Sequence, residues 1–136
     1  MRTFIIAALL VSMGGTAALS EDVSLFATGE NITTACRAFR QLAQGGNQTN
    51  DAQVAYNAGR CLGQVEMVAD FDAIHRSSIA YSVHFPKFCL PNGTNNGAIA
   101  EVVANYADSH PEQRSLAGYA LIRRAMAVAW PCASNQ

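Results

Sequence analysis

Four cysteines sit symmetrically about two turn-forming stretches, and that arrangement limits what this chain can fold into. Cys36 and Cys61 straddle Gly45 to Asn50, a Gly-Gly-Asn-Gln-Thr-Asn run. Cys89 and Cys132 straddle Ser109 to Glu112, which reads Ser-His-Pro-Glu. An even cysteine count in a short exported chain reads as a disulfide framework rather than as a set of nucleophiles. Residues equally far from the turn of a helical hairpin lie at the same height. About a turn near Asn47–Gln48, Cys36 and Cys61 are offset by only about 3 Å, given a rise of ~1.5 Å per residue. Cys89 and Cys132 are nearly equidistant from His110. Of the three possible connectivities, these heights favour Cys36–Cys61 with Cys89–Cys132.

The first twenty residues have the features of a secretory signal. Met1-Arg2 supplies a positive start, Phe4 to Met13 an apolar core, and Gly14 to Ser20 small residues suited to cleavage near Ala18 or Ser20. No segment approaches the ~20 apolar residues of a membrane span. No lipid-attachment cysteine follows the apolar core. The expected organisation is therefore a signal peptide over 1–20 and one helical domain over 21–136, in an oxidising compartment and without membrane insertion. The formal net charge is −1, falling to −2 once Arg2 is removed. So mild a balance gives no reason to expect a nucleic-acid partner.

Apolar spacing predicts helices along the rest of the chain. From Thr28 to Ala43 the stripe is Ile32, Ala35, Cys36, Phe39 and Leu42, with Thr28 as cap and Gly45-Gly46 as stop. A second helix is expected from Asn50-Asp51 to about Ile74, carrying Val54, Ala58, Cys61, Leu62, Val65, Val68 and Ala69. Pro86, Pro91 and Asn92-Gly93 then interrupt. Thr94 is the predicted cap of a third helix bearing Ile99, Val102, Val103 and Tyr106. Ser109-His110-Pro111-Glu112 reads as a capping box opening a fourth helix that ends at Trp130-Pro131-Cys132. The expected fold is all-α: a single domain of about four helices, two hairpins braced by two disulfides.

Several motifs resemble a known family when taken together. They are Phe88-Cys89-Leu90-Pro91-Asn92-Gly93, Val102-Val103-Ala104-Asn105-Tyr106, Ser109-His110-Pro111-Glu112 and Ala129-Trp130-Pro131-Cys132. Upstream, Asn31 to Cys36 and Cys61-Leu62-Gly63-Gln64-Val65 match its first two cysteine helices. The chain in these respects looks like the Tai/Rap immunity proteins that accompany type VI secretion effectors. The resemblance implies a periplasmic, all-helical homodimer that binds a cognate secreted effector, such as a peptidoglycan amidase, and occludes its active cleft. It makes the turn Asp108 to Glu112 the natural plug. Asp108, Ser109, His110, Glu112 and Asn105 are then the candidate effector contacts, with Asp108 and His110 able to hydrogen-bond catalytic groups.

Other constellations carry less. Glu66 and Asp70, four apart and near Asp72, form a polar face of the second helix that would favour an arginine-bearing partner. His84 and Cys89 lack the spacing of a zinc site, so no metal or cofactor is expected. His75 with Ser77-Ser78 has no placed acid and no nucleophile elbow, so no catalytic residue is assigned and the chain is not expected to be an enzyme. Trp130 and Tyr119 read as core anchors. Two other classes remain open: a small periplasmic chaperone or stress protein, and a small hydrolase for which no nucleophile, base and orienter set is found.

Overall fold

Short polar side chains start the first three helices of the computed structural model, which describes residues 27–45, 51–75 and 86–133. Thr28 Oγ1 accepts from the Asn31 amide at 3.2 Å and opens α1, Gly29–Ala43. Asp51 Oδ1 accepts from the Gln53 amide at 2.8 Å at the start of α2, Ala52–His75. Asn95 Oδ1 accepts from the Ala98 amide at 2.9 Å and opens α3, Asn96–Ser109. The predicted cap, Thr94, lies one residue too early. Its hydroxyl instead donates to the Pro91 carbonyl at 2.7 Å and closes the turn before the helix.

The predicted start of the fourth helix is corrected further. Ser109 is the last residue of α3, and its hydroxyl donates back to the Asn105 carbonyl at 2.7 Å, so no capping box forms. Pro111 disfavours α-helical backbone at His110, which takes φ −129° and ψ 65°. Pro111–Ser115 then forms a single 3-10 turn, and α4 runs only from Gly118 to Ala129. Backbone groups between the 3-10 turn and α4, the Leu116 carbonyl and the Gly118 amide, are bonded to the start of α1. Gly29 N donates to Leu116 O at 2.7 Å and Gly118 N to Ala27 O at 2.6 Å, an antiparallel bridge that ties the start of α1 to the start of α4.

That bridge explains two glycines. A Cβ on Gly118 would lie 2.5 Å from Ile32 Cγ1 and 2.8 Å from Ala27 O. A Cβ on Gly29 would lie 2.7 Å from the Arg114 carbonyl oxygen. The two backbones can approach this closely only where side chains are absent.

The core is continuous across all four helices. Ile32, Ala35 and Cys36 of α1 meet Cys61, Val65 and Val68 of α2, then Ile99, Val103 and Ala107 of α3, and Leu121, Ile122 and Met126 of α4. α1 touches every other helix, and its largest interface is with α2. Phe88 is buried beside them, and Tyr119 and Trp130 pack half-buried against the cluster as the anchor reading expects.

Both disulfides take the expected pairing, each with a Cα–Cα distance of 4.9 Å. Cys36–Cys61 staples α1 to α2 in the core. Cys89–Cys132 ties the segment entering α3 to the segment leaving α4, beside a bond of 2.8 Å from Cys89 N to Trp130 O. Among the described residues no helix is long and apolar enough to cross a membrane.

Candidate functional site

The residues singled out at the end of α3 divide between two faces. Helical spacing places Asn105 and Ser109 on one side, and His110 follows directly. The three line a shallow groove of about 270 Å³ between α3 and α4, together with Tyr106 and Val128. Val128 is 67% exposed, so the groove has an apolar, solvent-facing rim. His110 is held in place twice. Its ring stacks on Tyr106 with centroids 4.1 Å apart, and Nδ1 lies 3.0 Å from the Tyr106 carbonyl oxygen. The carbonyl oxygen can only accept, so Nδ1 is the donor in this contact. Glu112 is exposed on the 3-10 turn, where its Oε1 lies 3.4 Å from Gln113 Nε2.

Asp108 faces the other way, toward α1. Arg37 Nε donates to Oδ1 at 2.7 Å, Arg40 Nη2 donates to Oδ2 at 2.6 Å, and Arg114 Nη2 lies 3.7 Å from Oδ1. The hydrogen bond from Arg40 is the largest influence holding the carboxyl below its ordinary range; partial burial opposes it, and Arg37 adds to it. Asn105 serves both faces, since its Oδ1 accepts from Arg40 Nη1 at 2.8 Å. Its side-chain oxygen thus pins the arginine cluster, while the residue also lines the groove.

The carboxylates of α2 also separate. Glu66 and Asp70 are exposed, whereas Asp72 is 4% exposed and turned into the core. There it accepts from Arg123 Nη1 at 2.9 Å. Arg123 is 1% exposed, donates from Nη2 to the Pro86 carbonyl at 2.8 Å, and has its guanidinium over Phe88 and Tyr119 at 5.0 and 5.7 Å from the ring centroids. Burial lowers the Arg123 pKa and the Asp72 carboxylate offsets it, leaving a guanidinium that stays charged. Burial, and then Asp72, raises the Tyr119 phenol. Sequence reasoning grouped Asp72 with the exposed acids and passed over Arg123. The signal was present: Cys61, Val65, Val68 and Asp72 follow one helical stripe, so Asp72 belongs to the buried face.

The outer face of α2 is apolar over two turns. Met67, Phe71 and Ile74 are 57%, 41% and 73% exposed and recur at helical spacing. Met67 also lines an apolar groove of about 430 Å³ between α2 and the start of α4. His75 stacks on Phe71 with centroids 4.0 Å apart, while Ser77, Ser78 and His84 fall outside the described residues. Among the described residues no three His, Cys, Asp or Glu side chains converge as metal ligands would.

Residues 28–132 match the family model of the Rap1a immunity proteins, and the chain belongs to that family. No curated protein and no solved structure matches it. The membership bears out the resemblance read from the cysteine, His-Pro-Glu and Trp-Pro-Cys motifs.

Proposed function

We propose that this Rap1a-family chain is an exported, periplasmic protein that binds a cognate type VI secretion effector of the peptidoglycan-amidase type and occludes its active-site cleft. The observation that carries the reading is the end of α3. A family of immunity proteins needs a surface that binds without reorganising, and here Asn105, Ser109 and His110 rim a groove between two helices whose outer ends are tied by Cys89–Cys132, with a stacked histidine and the α1–α4 bridge holding the rest. Preorganisation of this kind lowers the ordering cost of association. Two disulfides accord with an oxidising compartment. The apolar face of Met67, Phe71 and Ile74 supports homodimerisation through α2. That same face favours the second reading, a chaperone that binds many apolar clients.

The test is capture by the mature, oxidised protein from the periplasmic and secreted fractions of its own organism. The captured partner is then assayed for peptidoglycan hydrolysis. We expect one stoichiometric hydrolase, silenced by an equimolar amount of the protein and released by Ser109→Ala with His110→Ala. A broad set of envelope proteins that grows as pH falls establishes the chaperone instead. Sedimentation of Met67→Asp tests the dimer, which should dissociate while the helical signal is retained.

A further inference from the structure

Asp108 is surrounded by more positive charge than it neutralises. Arg37, Arg40 and Arg114 all lie against its single carboxylate, so three positive charges meet one negative. The surplus is local, because the whole chain carries a formal net charge of −1. The neighbouring acid Glu101 forms no ion pair with these arginines, its Oε1 accepting from the Asn105 side-chain amide at 3.4 Å, and counting its charge still leaves three guanidiniums against two carboxylates. Glu112 contacts Gln113 rather than an arginine.

The three guanidiniums are also held in place. Arg37 and Arg40 are one turn apart on the same face of α1. Arg40 is fixed by Asn105 Oδ1 at 2.8 Å, and Arg114 by the Ala107 carbonyl at 3.0 Å. Their side chains nevertheless remain 42%, 22% and 22% exposed, in the order Arg37, Arg40, Arg114. A staple between α1 and α3 needs only one such pair. Guanidiniums already fixed by their neighbours lose little further rotamer freedom when they meet an anion, and their forked donors suit a carboxylate.

We propose that Arg37, Arg40 and Arg114 form a docking patch for an Asp- or Glu-rich segment of the partner protein, placed beside the Asn105–His110 groove on the other face of α3. The proposal rests on the partner-binding reading above and adds the chemistry of the partner at this contact. Asp108 acts as an internal stand-in: it keeps the arginines converged, and the partner's carboxylates share them when it docks.

The experiment follows the arginine Nε–Hε NMR signals of the mature, oxidised protein at low ionic strength. Hexaglutamate is titrated in, with hexaglutamine and inorganic phosphate as comparisons. We expect saturable shifts at Arg37, Arg40 and Arg114 with hexaglutamate and none with hexaglutamine. Arg37→Gln with Arg114→Gln should weaken that binding about tenfold, as loss of charge-assisted contacts does. Asp108→Asn, its fold verified by thermal melting, should strengthen it. Absent shifts, or equal response to phosphate, overturn the assignment to an acidic peptide segment. With the captured partner in hand, the double arginine variant should also bind with a shallower salt dependence. A partner held equally by both proteins sinks the patch and leaves the immunity reading standing. Capture of no partner, with hexaglutamate still bound, does the reverse.

Discussion

Replacing Asp72 with leucine isolates the largest single electrostatic commitment in the core. Arg123 is 1% exposed and Asp72 4%, so neither charge can be rescued by water without local opening. The Asp72→Leu variant removes the Nη1–Oδ1 contact from a guanidinium that also meets the Pro86 carbonyl, the Tyr119 hydroxyl at 3.4 Å and two aromatic faces. Breaking a buried pair by removing one partner costs roughly 3–5 kcal/mol. For a domain of this size that lowers the melting temperature by roughly 10–20 °C. Arg123→Met should cost a comparable amount, because it breaks the same buried pair from the other side. Combining the two should recover most of the loss. Leucine occupies space released by methionine, and the Pro86 carbonyl sits on an exposed residue where water can replace the arginine. The double variant is expected within about 1–2 kcal/mol of the parent, since a buried pair is often matched by well-packed apolar residues. Urea unfolding followed by circular dichroism, with disulfides intact, supplies all four corners of the cycle. Strictly additive single variants, or a loss below about 1 kcal/mol for Asp72→Leu, would refute the reasoning.

Other perturbations follow from the same structure. Removing Cys36–Cys61 should cost about 3.5 kcal/mol and removing Cys89–Cys132 about 4 kcal/mol, from closed loops of 25 and 43 residues, which denaturant midpoints of the paired alanine variants would check. Gly118→Ala should destabilise by about 1–3 kcal/mol, because its Cβ meets both Ile32 and the Ala27 carbonyl; an unchanged melting temperature would mean the α1–α4 bridge is not tight. Asn95→Ala should cost about 1 kcal/mol through loss of the α3 cap, measured by the same unfolding curves. The Asp108 carboxyl is held below its ordinary value of 3.8 chiefly by the Arg40 hydrogen bond. The stability it contributes is therefore present above that value and lost as pH falls through the lower folded-state value. Asp108→Asn should flatten that acid-side loss in a pH series of melts, and an identical acid profile would count against the cluster.

Much of the architecture was legible because helices leave a local signature. The stripe of Ile32, Ala35 and Cys36 and that of Cys61, Val65 and Val68 are periodic in the sequence and buried in the fold. For Cys36 and Cys61, both within helices, the heights about the turn favoured the pairing for the same reason. The start of α4 was not legible. Ser109 to Glu112 has every local feature of a capping box, but Leu116 and Gly118 are drawn into backbone bonds with Gly29 and Ala27, far away in sequence. The α3 cap was misplaced by one residue because Thr94 and Asn95 are both good caps, and only the Pro91 carbonyl decides between them.

What the chain determined by itself is its helical content and its family, since each rests on short-range spacing or on motifs of fixed composition; the spacing favoured one disulfide connectivity, and the structure takes it. Tertiary structure decided which way the charged residues face. Asp108 is drawn from the turn to the arginines of α1, and Asp72 from the acidic face of α2 to Arg123 of α4. A carboxylate goes where its counter-charge lies, and that partner is chosen by the packing of helices far apart in sequence.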